Sequence, residues 1–223
     1  MGPTRSPKRT AATAGATSSF LRKLMSLDSR LSQHLHSLTR PFLPHALLLL
    51  LEFSADFRFF FPVSLSLLLA PIPNPTSLLR PFLSPLLLGL LLDLALVGLI
   101  KVVVRRSRPL YNKNMNVAVS ADHFSFPSGH SSRVCFVASL VYLSTSAIAN
   151  VLVQIRSNSP FVDRWIAADD VKVMSFLVGV TWAWAVSTSV SRILLGRHFI
   201  SDVFAGTCLG VLEGLFAFRF LRI

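Results

Sequence analysis

Acidic residues and cysteines are scarce in this chain of 223 residues. It holds 10 Asp and Glu residues against 22 Lys and Arg, and its two cysteines, Cys135 and Cys208, both lie in apolar runs. This small number of cysteines argues against a disulfide framework and against a zinc site. Charged residues make up 14% of the chain, well below the roughly 25% that is typical of soluble domains. Together with 52% hydrophobic residues and a mean hydropathy of +0.59, this excludes an ordinary cytosolic globule and a disordered chain, and it indicates a membrane protein.

Long apolar stretches occupy most of the second half of the chain. Four of them have the length that a helix needs to cross a hydrocarbon core, about 20 residues: Pro85–Val104, Ser131–Val153, Val173–Val190 and Phe199–Phe218. None alternates strictly between polar and apolar residues, which favours helices over barrel strands. The region Pro41–Pro73 carries three charged residues in its middle, so it is either two short spans or an interfacial helix followed by one span. We favour two, and the sequence then predicts an all-α, polytopic membrane helix bundle with about six transmembrane segments.

The first forty residues differ from the rest, because they carry seven basic residues and a single acid, Asp28. We interpret residues 1–40 as a basic, disordered cytosolic tail that follows the positive-inside tendency, and residues 41–223 as the membrane-embedded domain. A transit peptide is the alternative, since the first twenty residues are rich in Arg, Ser, Thr and Ala. The basic charge is not interleaved with stacking aromatic residues, so nucleic acid is not a predicted partner. No particular oligomeric state is predicted.

Polar residues of the membrane half cluster in three places, residues 101–109, 126–133 and 191–202. The first two clusters share one loop, and two predicted spans separate that loop from the third cluster. Two crossings return a chain to the same side of a membrane. All three polar clusters are therefore expected to meet at one membrane surface.

The first and third clusters contribute fixed positive charges, Lys101, Arg108 and Arg192. Cations brought together in this way repel one another unless an anion lies between them, and arginine guanidinium groups bind phosphate oxygens well. Ser128 and Gly129 stand where the next helix begins, and helix N-terminal amides bind anions. These residues predict a phosphate-binding site.

Two histidines complete a possible reaction centre. His198 and Asp202 are spaced i, i+4, so a carboxylate on the same helical face can orient the imidazole and leave its other nitrogen able to attack. His130 has the ordinary pKa range of a proton donor to a leaving alkoxide. The set predicts phosphoryl transfer through a phosphohistidine. Since no metal-binding motif accompanies these residues, neither a metal nor another cofactor is predicted.

The three clusters resemble the motifs of the type-2 phosphatidic acid phosphatases, which are integral membrane lipid phosphatases. The family pattern K-x6-RP, PSGH and SR-x5-H-x3-D is filled at every position over about 100 residues. The stretches KVVVRRSRPLYN, FSFPSGHSSR and SRILLGRHFISDVFAG are similar to a subgroup with presqualene diphosphate phosphatase and the plant beta-type lipid phosphate phosphatases. The resemblance implies a six-helix core and metal-independent hydrolysis of lipid phosphates or prenyl diphosphates such as phosphatidate, lysophosphatidate and isoprenoid diphosphates.

The resemblance also implies roles for single residues. His198 would be the nucleophile, Asp202 its orienting carboxylate and His130 the general acid. The phosphate would be held by Lys101, Arg108, Ser128, Gly129 and Arg192.

The remaining charged residues of the membrane half are expected to be structural. We interpret His34, His36, His45 and His123 as structural or interfacial, and Arg105, Arg106, Arg133 and Arg197 as headgroup contacts. Asp93 and Glu213 lie inside spans and are interpreted as polar contacts between helices.

Two other functions fit parts of the pattern. A phosphotransferase would pass the phosphoryl group to an acceptor other than water, and an anionic-lipid transporter or binding protein would use the cations alone. An anion binder has little use for an oriented neutral imidazole, so a membrane phosphatase is favoured. With six spans and a cytosolic N-terminus the three clusters face the lumen or exterior, and with five they face the cytosol. The endoplasmic reticulum is the expected membrane, from the subgroup.

Overall fold

The fold is built from helices. The computed structural model describes residues 9–69, 75–111, 123–158 and 169–222. Within these ranges the helices, in chain order, are α1 (Arg9–Thr39), α2 (His45–Ser54), α3 (Phe57–Leu69), α4 (Pro75–Val104), α5 (Gly129–Leu143), α6 (Thr145–Asn158), α7 (Asp170–Leu194) and α8 (Ile200–Phe220). The all-α architecture predicted from the apolar stretches is confirmed.

Helix length separates the predicted spans into three kinds. The part of α4 from Arg80 to Val104, α7 and α8 have 25, 25 and 21 residues and are apolar enough to cross a membrane. The expected single span over residues 131–153 is instead a broken pair, because α5 and α6 are bent by 66° at Ser144. The region Pro41–Pro73 contains two separate helices, α2 and α3, but with 10 and 13 residues both are shorter than the spans that we predicted there. Residues 70–74 lie outside the described residues.

Two helices begin at residues whose side chains cap the helix N-terminus. Ser128 is the N-cap of α5, and its Oγ accepts a hydrogen bond from the Ser131 amide at 3.4 Å. Asp169 caps α7 in the same way, with Oδ1 accepting from the Val171 amide at 3.1 Å. Local side-chain capping thus determines where α5 and α7 begin.

Helix α5 is the centre of the bundle. Every residue from Ser131 to Val141 is buried, and the helix packs against α4, α7 and α8. Phe136 is fully buried among apolar side chains of α4 and α8, including Leu90 and Ala217. A helix that is covered on all sides in this way holds its neighbours at fixed positions around it.

Backbone touches backbone where α5 meets α8. Gly206, Gly210 and Gly214 recur every four residues on one face of α8. A Cβ atom at Gly206 or Gly210 would overlap the carbonyl oxygen of Ser128 or Ser132, and one at Gly214 would lie 2.6 Å from the Ser139 Cβ. Small residues at this spacing allow close packing of membrane helices.

Large apolar side chains cover the outside of the bundle. Phe176 on α7 is 73% exposed, Phe204 on α8 is 69% exposed and Val103 on α4 is 72% exposed. In water this surface would be unfavourable, whereas lipid chains solvate it. The outer surface supports a membrane protein.

The N-terminal segment differs from the disordered tail that its composition predicts, because residues 9–39 form helix α1. The second half of α1 packs on α7 and α8, and Ser32 is fully buried. Its Oγ accepts a hydrogen bond from the Ile200 amide at 3.1 Å. These tertiary contacts supply order that residue composition alone does not predict.

Candidate active site

A tight turn between α7 and α8 places His198. Gly196 has a φ of 67°, a left-handed conformation that glycine adopts without strain. The Arg192 carbonyl accepts hydrogen bonds from the amides of Arg197 at 3.0 Å and His198 at 3.2 Å. The turn directs the His198 imidazole into the protein, where the residue is only 1% exposed.

The His198 ring is oriented by a backbone carbonyl. Its Nδ1 lies 2.7 Å from the Ser125 carbonyl oxygen, which can only accept, so Nδ1 carries the proton. The predicted orienting group, Asp202, is farther away, with Oδ2 at 3.8 Å from Nδ1. Nε2 is then the unprotonated nitrogen and the one able to attack. The Ser125 acceptor escaped the sequence analysis because a backbone carbonyl has no residue-type signature.

Burial keeps the His198 imidazole neutral. The pKa of His198 is lowered to about 3, mainly by burial and also by the charges of Arg108 and Arg192, although Asp202 opposes the shift. At neutral pH the imidazole therefore has a lone pair available, which a nucleophile requires.

Asp202 is held by groups other than His198. It is fully buried, its Oδ2 accepts from the Phe199 amide at 2.9 Å, and its Oδ1 accepts from Arg106 Nη1 at 2.7 Å. The hydrogen bond from the Phe199 amide caps the N-terminus of α8, and an acidic side chain in the first turn of a helix commonly has this role. Arg106, which we expected to contact lipid headgroups, instead pairs with this buried carboxylate.

The start of α5 brings the second polar cluster to the third. The Ser128 amide donates to the Asp202 carbonyl oxygen at 3.0 Å, and Ser128 Oγ lies 2.9 Å from Ser131 Oγ. A Cβ at Gly129 would lie 3.2 Å from a Val97 methyl group, so close packing on α4 also favours glycine there. His130 follows, and its buried Nε2 has no hydrogen-bond partner among the described residues.

Cations surround these groups. Lys101 is 5% exposed and Arg192 is 2% exposed, and the charges of both act on His130. Arg108 Nη1 donates to the Arg197 carbonyl oxygen at 3.1 Å. The parity argument is therefore supported, since residues of all three polar clusters meet at one end of the bundle. We call Lys101, Arg108, Ser128, Gly129, His130, Arg192, His198 and Asp202 the candidate site.

An acid from α2 also reaches the candidate site. Glu52 Oε1 lies 3.0 Å from Arg192 Nη1, and its Oε2 lies 3.6 Å from Arg197 Nη2. No sequence pattern connects Glu52 with the motifs, because Glu52 lies in the region Pro41–Pro73, whose topology was ambiguous. Arg197 is thus an ion-pair partner rather than the expected headgroup contact.

A second ionic group lies deeper in the bundle. Arg133 Nη2 is 3.1 Å from Asp93 Oδ2, and Ser132 Oγ donates to Glu213 Oε2 at 3.2 Å. Arg133 is only 6% exposed and also donates to the Ala55 carbonyl oxygen at 2.9 Å, so it is not the predicted headgroup contact. Asp93 and Glu213 make the polar contacts between helices that were expected. We call Asp93, Ser132, Arg133 and Glu213 the intramembrane cluster.

Several known proteins are similar in sequence to this chain. A family model described as the PAP2 superfamily matches residues 82–222. A probable lipid phosphate phosphatase beta from Arabidopsis thaliana is 53% identical over 208 residues, which cover 92% of this chain and 94% of that protein. Phosphatidylglycerophosphatase B from Bacillus subtilis strain 168 is 34% identical over 120 residues, 54% of this chain and 48% of that protein.

A solved structure agrees with the helical arrangement. The crystal structure of a transmembrane PAP2 type phosphatidylglycerolphosphate phosphatase from Bacillus subtilis matches with a TM-score of 0.60 and 20% identity. The match covers 89% of this chain and 86% of that chain, and it shows the fold. The bundle and its polar end define an integral membrane phosphatase. The chain belongs to the PAP2 superfamily.

Proposed function

We propose that this membrane lipid phosphatase hydrolyses lipid phosphomonoesters or diphosphates, including phosphatidate, lysophosphatidate and prenyl diphosphates, through a phosphohistidine at His198. The observation that carries the proposal is the buried, neutral imidazole whose Nδ1 is committed to the Ser125 carbonyl. An oriented neutral imidazole beside several cations suits nucleophilic attack on phosphorus.

The first step forms a covalent intermediate. Nε2 of His198 bonds to phosphorus while the bond from phosphorus to the leaving oxygen breaks. His130, in its protonated form, gives its proton to that oxygen, so the lipid leaves as an alcohol or a monophosphate. Lys101, Arg108 and Arg192 stabilise the charge on the equatorial phosphate oxygens, together with Ser128 and the backbone at Gly129.

The second step regenerates the enzyme. Water attacks phosphorus, the bond to Nε2 breaks, and a proton of the water passes to His130. Inorganic phosphate then leaves and the His198 imidazole is neutral again. The phosphate-binding residues act as in the first step, whereas His130 now acts as a base.

Glu52 gives Arg192 a partner when no phosphate is bound. The two side chains lie 3.0 Å apart, and the side chain of Glu52 is 24% exposed whereas that of Arg192 is 3% exposed. An incoming phosphate competes with this carboxylate for the guanidinium, since both anions bind the same donors. Glu52 therefore supplies a negative charge beside the buried Arg192 guanidinium between turnovers.

The test is phosphate release by purified protein in detergent with EDTA, from phosphatidic acid, lysophosphatidic acid and farnesyl diphosphate. Wild type is compared with His198→Ala and with His34→Ala, a matched change of an exposed histidine on α1. We expect release to survive EDTA, to persist in His34→Ala and to vanish in His198→Ala. Equal release by wild type and His198→Ala contradicts the proposed nucleophile.

The same samples distinguish the other functions. Phosphate transfer to an added lipid alcohol without release of inorganic phosphate would identify a phosphotransferase. Lipid binding without turnover in wild type would identify a transporter or binding protein. We also propose the endoplasmic reticulum as the membrane, which co-localisation of the tagged full chain with a marker of that organelle tests.

A further inference from the structure

Helix α1 reaches the start of α8 through Asp28. Asp28 Oδ1 accepts a hydrogen bond from the Ser201 amide at 3.2 Å, and its Oδ2 accepts from Ser201 Oγ at 2.5 Å. One turn later, Ser32 Oγ accepts from the Ile200 amide at 3.1 Å. Both residues thus satisfy first-turn amides of the helix that carries Asp202, groups that have no partner inside the helix itself.

Arg106 connects Asp28 to Asp202. Its Nη2 lies 2.7 Å from Asp28 Oδ2, and its Nη1 lies 2.7 Å from Asp202 Oδ1 and 2.6 Å from Ser201 Oγ. The guanidinium carbon also lies 4.1 Å from the centre of the Phe199 ring. One planar group is therefore held on two edges by carboxylates and on one face by an aromatic ring, which leaves it little freedom to move.

The connection is shielded from water. The side chains of Arg106 and Asp28 are 13% and 14% exposed, and that of Asp202 is fully buried. Charge pairs in such surroundings interact more strongly than surface pairs, and removing one partner leaves the others without compensation. The position of Arg106 between the two carboxylates thus depends on both of them.

Asp202 has two oxygens with separate partners. Arg106 binds Oδ1, whereas Oδ2 accepts from the Phe199 amide and faces His198 Nδ1 at 3.8 Å. Rotation of the carboxylate would break the Arg106 contact. Arg106, through its contact with Oδ1, therefore keeps Oδ2 oriented toward the imidazole. Asp28 in turn holds Arg106 in place.

We propose that Asp28 and Arg106 are positioning residues for the reaction, so that helix α1 completes the candidate site rather than only lying beside it. They act through Asp202 on His198 and touch neither the imidazole nor the phosphate. The inference rests on the proposed function, because it assumes that His198 is the nucleophile.

A purely mechanical role for α1 makes a different prediction. Ser32 holds α1 against α8 through the Ile200 amide, as Asp28 does through Ser201. Within the described residues, however, Ser32 makes no hydrogen bond to Arg106 or Asp202. His36 contacts the C-terminal end of α7, where its Nδ1 lies 2.6 Å from the Leu194 carbonyl oxygen. If α1 were only an anchor, losing Ser32 and losing the Asp28 charge would have similar effects.

The experiment measures kcat and KM for phosphatidic acid in detergent with the full-length chain. The variants are Asp28→Asn, Arg106→Gln, Arg106→Lys, the double variant Asp28→Asn with Arg106→Gln, and Ser32→Ala as the matched control. We expect Asp28→Asn and Arg106→Gln to lower kcat by about 10- to 100-fold with KM within about twofold of wild type, because misplacing a reacting group slows the chemical step. Arg106→Lys should regain part of the loss, and Ser32→Ala should stay close to wild type.

The double variant tests whether the two residues act as one unit. We expect its kcat to match that of Arg106→Gln, because the Arg106 guanidinium is the group that bonds to both carboxylates. Wild-type kcat in both single variants, or an equal loss in Ser32→Ala, would overturn the inference. If Asp28→Asn does not fold, Ser201→Ala replaces it, because the Ser201 hydroxyl binds both Asp28 and Arg106.

His198→Ala in the same assay separates the two proposals. Activity in that variant contradicts the proposed function itself. An inactive His198→Ala variant alongside fully active Asp28→Asn and Arg106→Gln contradicts the positioning role alone.

Discussion

Two buried groups of ionisable residues in this molecule differ in their balance of basic and acidic side chains. In the candidate site the cations Lys101, Arg108 and Arg192 outnumber the carboxylate of Asp202. In the intramembrane cluster Arg133 pairs with Asp93, and the second acid, Glu213, accepts a hydrogen bond from Ser132. The first group lies at the end of the bundle, where an anion from outside can complete it. The second lies among helices, where lipid supplies no counterion and the charges must be balanced by neighbours.

Removing the cation of the intramembrane cluster should have the largest effect. Arg133→Met leaves Asp93 and Glu213 buried without their positive partner, which costs about 3–5 kcal/mol of stability in comparable pairs. We expect a lower thermal unfolding temperature, measured by size-exclusion chromatography of heated detergent samples. The double variant Asp93→Leu with Arg133→Met should recover much of the loss. Unchanged unfolding of Arg133→Met would show that these charges are not coupled.

Removing a cation from the candidate site should affect turnover more than stability. Arg192→Gln is expected to lower kcat/KM by about 10²- to 10³-fold, the range found when one charge-stabilising donor is lost. Its unfolding temperature should fall less than that of Arg133→Met, because Glu52 is 24% exposed and keeps Arg197. Arg58→Gln is the control, since Arg58 is 77% exposed and pairs with Asp56 away from the candidate site. If Arg192→Gln lowered the unfolding temperature as much as Arg133→Met but left kcat/KM near the wild-type value, the two groups would not differ in this way.

The neutral His198 should leave a smaller signature in the pH dependence of stability. Its pKa is about 3 in the folded protein and about 6.5 in the unfolded chain, so between these values the unfolded state binds more protons. Stability therefore falls as the pH falls below 6.5, by at most about 1.4 kcal/mol per pH unit. The drop in unfolding temperature from pH 6.5 to 4.5 should be smaller in His198→Gln than in wild type. An exposed-histidine variant, His34→Gln, should retain the wild-type slope, and equal slopes in all three would contradict a neutral His198.

Motif spacing and crossing parity predicted which residues meet, because both depend only on helix length and chain direction. The same logic could not identify the Ser125 carbonyl, since every residue has one. Glu52 was missed because short helices of 10 and 13 residues leave crossing ambiguous. The break at Ser144 also escaped, because the run Ser144-Thr145-Ser146 contains neither proline nor glycine to mark an interruption.

The N-terminal helix was missed for a different reason. We predicted a disordered tail for residues 1–40 from their net charge, because a strongly basic segment favours contact with solvent. A signal was present in Asp28, the single acid among seven basic residues there. An isolated acid in a basic segment can mark a specific partner, and here that partner is Arg106.

The glycine face between α5 and α8 bears on how the protein tolerates different membranes. Helices in lipid tilt to match bilayer thickness, and tilting changes the spacing of groups on separate helices. Gly206, Gly210 and Gly214 bring α8 so close to α5 that a Cβ atom at any of them would overlap an atom of α5 or of its N-cap. The two helices therefore cannot shift along each other by changing side-chain rotamers at these positions. We therefore expect the two helices to tilt together as one unit, so that the distance from His130, on α5, to Asp202, on α8, stays nearly the same in thin and thick bilayers.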